Sequence, residues 1–162
     1  MVACSVNPKS KVGFGAYLKI SELQFIEKSK SLTAFKNQIQ LKQFTDTSST
    51  LLELQTLLWA VNEIECAKNK ITIYTDCQNI LGLENRRSKF EENNYRTKKN
   101  KKINHYKLYQ HFFIMADKLD IKVIKIKGHQ SSAQKNQIDK IFSLVDKASR
   151  SALRNLQTQT CE

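Results

Sequence analysis

Residues 12–20 read Val-Gly-Phe-Gly-Ala-Tyr-Leu-Lys-Ile, which sets Val12, Phe14, Ala16, Leu18 and Ile20 on one side of a two-residue repeat. That alternation builds a half-buried strand and suits no helix, because successive side chains of a strand leave on opposite faces. The preceding segment Asn7-Pro8-Lys9-Ser10-Lys11 has turn chemistry, so Val2 to Val6 is expected as an antiparallel partner and the chain begins inside a strand. After a weakly patterned stretch from Ser21 to Asn37, Ile39 and Leu41 open a third short strand ending near Phe44.

The period then changes. Leu54, Leu57, Leu58 and Val61 recur at helical spacing within Thr50 to Ala67, and Thr50 three residues before Glu53 matches a capping box. Ile71 to Thr75 is β-rich and ends at Asp76, and Gln78 to Leu83 begins a short helix. A polar, basic stretch from Arg86 to Lys107 separates it from a helix over Leu108 to Leu119. A strand from Ile121 to Ile126 runs into Gly128-His129, and a polar loop leads to a closing helix carrying Ile138, Ile141, Phe142, Val145 and Ala152. This order predicts an α/β fold, a mixed sheet covered by helices. Residues 1–154 form one domain and residues 155–162 a flexible tail; there is no internal repeat.

Charge narrows the partners. Lys and Arg number 27 against 15 acidic residues, and a net charge of +12 makes a compact particle repel itself unless it meets a polyanion. Nucleic acid is the natural partner, and an anionic membrane surface the second. No apolar run approaches the roughly 18 residues of a membrane span, and the N-terminus lacks the pattern of a signal peptide, so a cytoplasmic monomer is expected. Cys4, Cys66, Cys77 and Cys161 show no C-x-x-C spacing and no histidine at ligand distance, which points to free thiols rather than zinc or redox chemistry.

Taken singly, the residues able to do chemistry have ordinary alternatives. Glu53 can be a capping partner, Asp76 a helix cap, Asp146 a solvated helix charge and His129 a loop residue. Their surroundings say more. Ser49-Thr50-Leu51-Leu52-Glu53-Leu54, Tyr74-Thr75-Asp76-Cys77-Gln78, Lys127-Gly128-His129 and Val145-Asp146-Lys147-Ala148-Ser149-Arg150 follow one another at domain-scale spacing. Asn7-Pro8 and Phe14-Gly15-Ala16-Tyr17-Leu18 precede them. This ordered set resembles the ribonuclease H family from about residue 4 to about residue 154.

The resemblance implies a five-stranded mixed sheet flanked by helices and an endonuclease that hydrolyses the RNA strand of RNA/DNA hybrids. It implies Glu53, Asp76 and Asp146 as ligands of Mg²⁺, with Mn²⁺ as a substitute, and His129 as an aid to proton transfer or product release. Two such ions about 3.5–4 Å apart activate a water and stabilise the departing oxygen. Asp139, seven residues before Asp146, is the rival ligand on spacing alone. Ser5, Ser49, Thr50 and Gln78 are implied contacts to the RNA strand, although Ser49 and Thr50 serve equally well as helix caps. Lys98, Lys99, Lys101 and Lys102 sit where some family members carry a basic protrusion for DNA phosphates; a solvated charged face is the alternative.

One position departs from the pattern. The family's first strand carries an aspartate where this sequence has Ala3, or Val2 or Met1 if the loop length differs, and no aspartate precedes Asp46. Two accounts follow: a degenerate, weakly active or inactive member, or a chain that starts late. A non-catalytic hybrid-binding or duplex-binding module is the competing function, and another nuclease or transposase-like member of the superfold a third.

Overall fold

The computed structural model describes residues 1–26, 32–64, 70–126 and 136–159. Strands β1 (Val2–Asn7), β2 (Val12–Tyr17) and β3 (Gln40–Phe44) form an antiparallel sheet in that order. Asn7 closes the first turn by accepting from the amides of Lys9 and Ser10, with Lys11 at φ 54°. Strands β4 (Ile71–Thr75) and β5 (Ile121–Lys125) form a parallel pair, and β1 packs beside β4. The five expected strands are present, but their hydrogen-bond ladders divide three and two rather than running as one sheet.

Helices α3 (Ser49–Asn62) and α7 (Gln137–Gln159) both pack on β1 and β2. They take opposite faces, because neighbouring strand residues point opposite ways. Val2 joins Leu54, Leu57 and Leu58 of α3, whereas Ala3, Ala16 and Leu18 join Ile141, Phe142 and Val145 of α7. The glycines of β2 let α3 come close. A Cβ at Gly15 would lie 2.3 Å from Thr56 Oγ1, and one at Gly13 2.5 Å from Leu52 Cδ2. Helices α4 (Gln78–Leu81), α5 (Leu83–Glu92) and α6 (Tyr106–Lys118) complete the α3 side, where α6 buries Tyr109, Phe112 and Phe113.

Several boundaries differ from the sequence reading. The patternless stretch after β2 holds two short helices, α1 (Glu22–Ile26) and α2 (Leu32–Lys36), the second anchored by buried Phe35. Helix α3 ends at Asn62, short of Ala67. Its N-cap is Ser48, whose side chain accepts from the Leu51 amide, so the Thr50 to Glu53 capping box does not form. Part of the basic stretch is helix α5, and α7 continues to Gln159 where a tail from residue 155 was expected. His129 and the polar loop before residue 136 lie outside the described residues.

Candidate active site

Cation-binding chemistry needs carboxylates drawn together from separate elements, and three arrive here. Glu53 stands one turn into α3, Asp76 just beyond the C-terminal end of β4, and Asp146 halfway along α7. All three line one cavity of about 290 Å³, with Ala3, Cys4 and Gln78 also in its wall. Asp139, the rival on spacing, is buried and serves the start of α7: it accepts from the Asn136 amide while its own amide donates to Asn136 Oδ1.

Each carboxylate has its own support. Without a capping box, Glu53 is free to face the cavity. Its Oε1 accepts from Ser49 Oγ at 3.4 Å and its Oε2 from Asn79 Nδ2 at 3.2 Å. Asn79 is in turn held through its carbonyl by the Arg86 guanidinium. Asp146 accepts from Arg150 Nε at 3.0 Å, one helical turn on, and Arg150 also lines the cavity. Arg150 and Asn79 were missed in the sequence. Spacing of i,i+4 on a helix flags the first, and nothing local flags the second.

Ala3 occupies the strand position that faces α7, paired with Ala16 across the ladder, and is buried. Its methyl group stands in the cavity wall beside Val2 and Cys4. The next residue, Cys4, points to the α3 side with its cross-strand partner Gly15. Cys4 and Cys77 are free thiols that share this cavity, a meeting their sequence separation concealed. Burial and the negative charge of Glu53, Asp76 and Asp146 push the Cys4 thiol far up, and burial with a hydrogen bond to Glu53 pushes Cys77 up to about 12.

The donor chemistry suits a hard divalent cation, since carboxylate oxygens are the ligands Mg²⁺ and Mn²⁺ prefer. The side-chain arrangement is less ready. Among the described residues no three His, Cys, Asp or Glu side chains converge closely enough to hold an ion. Glu53 and Asp146 are each engaged by a neighbour, and Val2 and Ala3 make the strand side of the cavity wall apolar.

A second opening, of about 870 Å³, lies beside the N-terminus of α3 and is lined by Ser48, Thr50, Lys98, Lys99, Lys101 and Lys102, among others. The lysines sit on a hairpin between α5 and α6, closed by the Arg96 to Lys102 bridge and by Asn100 at φ 58°. Beneath it, Tyr95 packs with Phe90 and Tyr106. The basic stretch divides by role. Arg87 pairs with Asp117 at 2.5 and 2.7 Å and with Glu91 at 2.8 Å; Arg96 donates to the Asn100 carbonyl and Lys102 to that of Asn94. Lys98, Lys99 and Lys101 are exposed, with no carboxylate at ion-pair distance among the described residues.

Of the remaining candidates, Ser5 and Ser49 fall outside both linings. Ser5 Oγ bonds Ser149 Oγ at 3.1 Å, tying β1 to α7, and Ser49 turns to Glu53. Gln78 lines the carboxylate cavity and accepts from Lys125 Nζ at 3.2 Å.

The arrangement of strands and helices is a ribonuclease H-like fold. It is similar to a chain in a structure of the foamy viral protease-reverse transcriptase in complex with dsDNA, with TM-score 0.59, 14% identity, and 93% of this chain and 90% of that one covered. At that identity the likeness concerns fold alone. The family profile described as RNase H matches residues 2–150, and the chain belongs to the ribonuclease H family. Among curated relatives, it is 26% identical over 141 residues to ribonuclease H of Caldicellulosiruptor saccharolyticus, covering 86% of this chain and 87% of the relative. It is 25% identical over 143 residues to that of Acetivibrio thermocellus, covering 86% of each. With ribonuclease H of Clostridium botulinum it shares 25% over 104 residues, 62% of this chain and 68% of the relative.

Proposed function

We propose that this protein is a ribonuclease H-type endonuclease for the RNA strand of RNA/DNA hybrids, slowed by the alanine at position 3. The observation that carries the reading is the meeting of Glu53, Asp76 and Asp146, from three elements of a family member, in one cavity. Those carboxylates would hold Mg²⁺ or Mn²⁺, which when bound acts as a Lewis acid towards the phosphodiester and raises the acidity of water. The chain's own groups do the positioning. Ser49 and Asn79 orient Glu53, and Arg150 offsets the charge of Asp146. Gln78 and Thr50 offer donors and acceptors to the RNA strand, whose 2′ hydroxyls lie in a shallow minor groove. Lys98, Lys99 and Lys101 give charge-based, sequence-independent contacts to phosphates. His129, outside the described residues, is assigned the proton-transfer or release role on family resemblance.

A second reading, a hybrid-binding module without hydrolysis, is favoured by Ala3 and by the lack of three converging ligands among the described residues. Incubating the chain with hybrid labelled on the RNA strand, alongside single-stranded RNA and duplex DNA, separates the two. Cleavage confined to the hybrid's RNA strand and lost in Asp76→Asn supports the enzyme. Binding without cleavage supports the module, and neither binding nor cleavage contradicts both.

A further inference from the structure

Helix α7 has four exposed charged side chains, Lys140, Lys147, Arg150 and Arg154, and all are basic. At 3.6 residues per turn they fall within about 80° of arc and extend over ~21 Å. The helix's acidic residues lie elsewhere: Asp139 is buried in the cap, and Asp146 is half-buried at the cavity. Among the described residues Arg150 alone of the four has a carboxylate at ion-pair distance. Helix α5 contrasts with this, because its Arg87 is neutralised by Glu91 and Asp117.

Like charges three and four residues apart, as in Lys147, Arg150 and Arg154, oppose helix formation, and of these only Arg150 is offset by a carboxylate, that of Asp146. An anion laid along the stripe removes that penalty. Arg150 gives the stripe a direction, since it is at once a member and part of the carboxylate cavity's wall. We propose that the outer face of α7 is a second nucleic-acid track, carrying the phosphodiester backbone of a strand as it continues beyond the cavity. Four basic side chains spread over ~21 Å can meet a run of successive phosphates of one strand. This site is separate from the lysine hairpin, and it rests on the proposed function only in taking that strand to be the substrate's own.

The test is the triple variant Lys140→Gln, Lys147→Gln, Arg154→Gln, keeping Arg150 because it touches the cavity. Affinity is measured against salt for a hybrid of about one helical turn and one of about two turns. On the longer hybrid the variant should lower the slope of log affinity against log salt by roughly 2 to 3, about 0.9 per lost contact. On the shorter one it should change nothing, and circular dichroism should match wild type. An unchanged slope on the longer hybrid, or equal losses on both, overturns the proposal. If wild type binds neither hybrid, the functional reading fails, and the track then stands or falls on single-stranded RNA of the longer length, whose salt slope must drop in the triple variant.

Discussion

Asn79 Nδ2 donates to Glu53 Oε2 at 3.2 Å, joining the helix after β4 to the first turns of α3 across 26 residues of sequence. The bond is exposed, so its worth to folding is small, whereas it fixes the direction of a carboxylate that the cavity needs. Asn79→Ala should therefore leave thermal stability within about 0.5 kcal/mol of wild type. Hybrid hydrolysis should fall severalfold, with hybrid affinity little changed. Melting curves and single-turnover cleavage measure the two halves.

The close approach of α3 to β2 is a packing constraint that a methyl group would break. Gly15→Ala should destabilise the protein by about 1–3 kcal/mol, the usual cost of overpacking, because its Cβ meets Thr56. Thr56→Ala in the same chain should recover part of the loss, as read by urea denaturation. Equal stability of Gly15→Ala and wild type would show that α3 can retreat freely.

The strands, the long helices and the three carboxylates were legible because each rests on local periodicity or a contiguous string. The Ile71 to Thr75 run ending at Asp76 needs no distant partner to be seen. Helix α5 escaped notice because only Leu83 is buried along it, and it is anchored on α6 by Arg87 to Asp117, a contact 30 residues away. The N-cap was misplaced by one plausible pair, Thr50 and Glu53, when Ser48 was equally able to cap. The convergence of Cys4 with Cys77 belongs to tertiary structure, and spacing holds no trace of it.

Cys77 carries a pH prediction. Its thiol is raised to about 12 in the folded state, so the stabilisation it gives is present below the ordinary thiol value and lost as pH rises from about 9 to about 12. Cys77→Ala should flatten part of the alkaline loss of stability. In a chain with Cys66→Ser and Cys161→Ser, both remaining thiols should react slowly with a disulfide reagent at pH 8. Rapid labelling of both would contradict the buried, negatively charged setting assigned to them.

On the hairpin, the outward lysines and Lys102 should separate. Replacing Lys98, Lys99 and Lys101 by alanine should weaken hybrid binding at low salt and reduce the salt slope by roughly 2 to 3. Lys102→Ala should mainly loosen the hairpin, since its ammonium is bound to the Asn94 carbonyl and stacked over Tyr106. A salt titration of both variants, compared with duplex DNA, reads the difference. Indistinguishable slopes for the triple variant and wild type would make the hairpin a solvated surface only.

The central claim is that three carboxylates share a cavity whose fourth place is filled by the methyl group of Ala3. The direct measurement is the rate of RNA-strand hydrolysis in a hybrid by wild type and Ala3→Asp, with Mg²⁺ or Mn²⁺ supplied. A restored ligand should raise the rate by more than the roughly 10–100-fold that outer-shell partners of a metal are worth. Asp76→Asn should abolish the gain. An Ala3→Asp chain that folds, binds hybrid and cleaves no faster than wild type would contradict the claim.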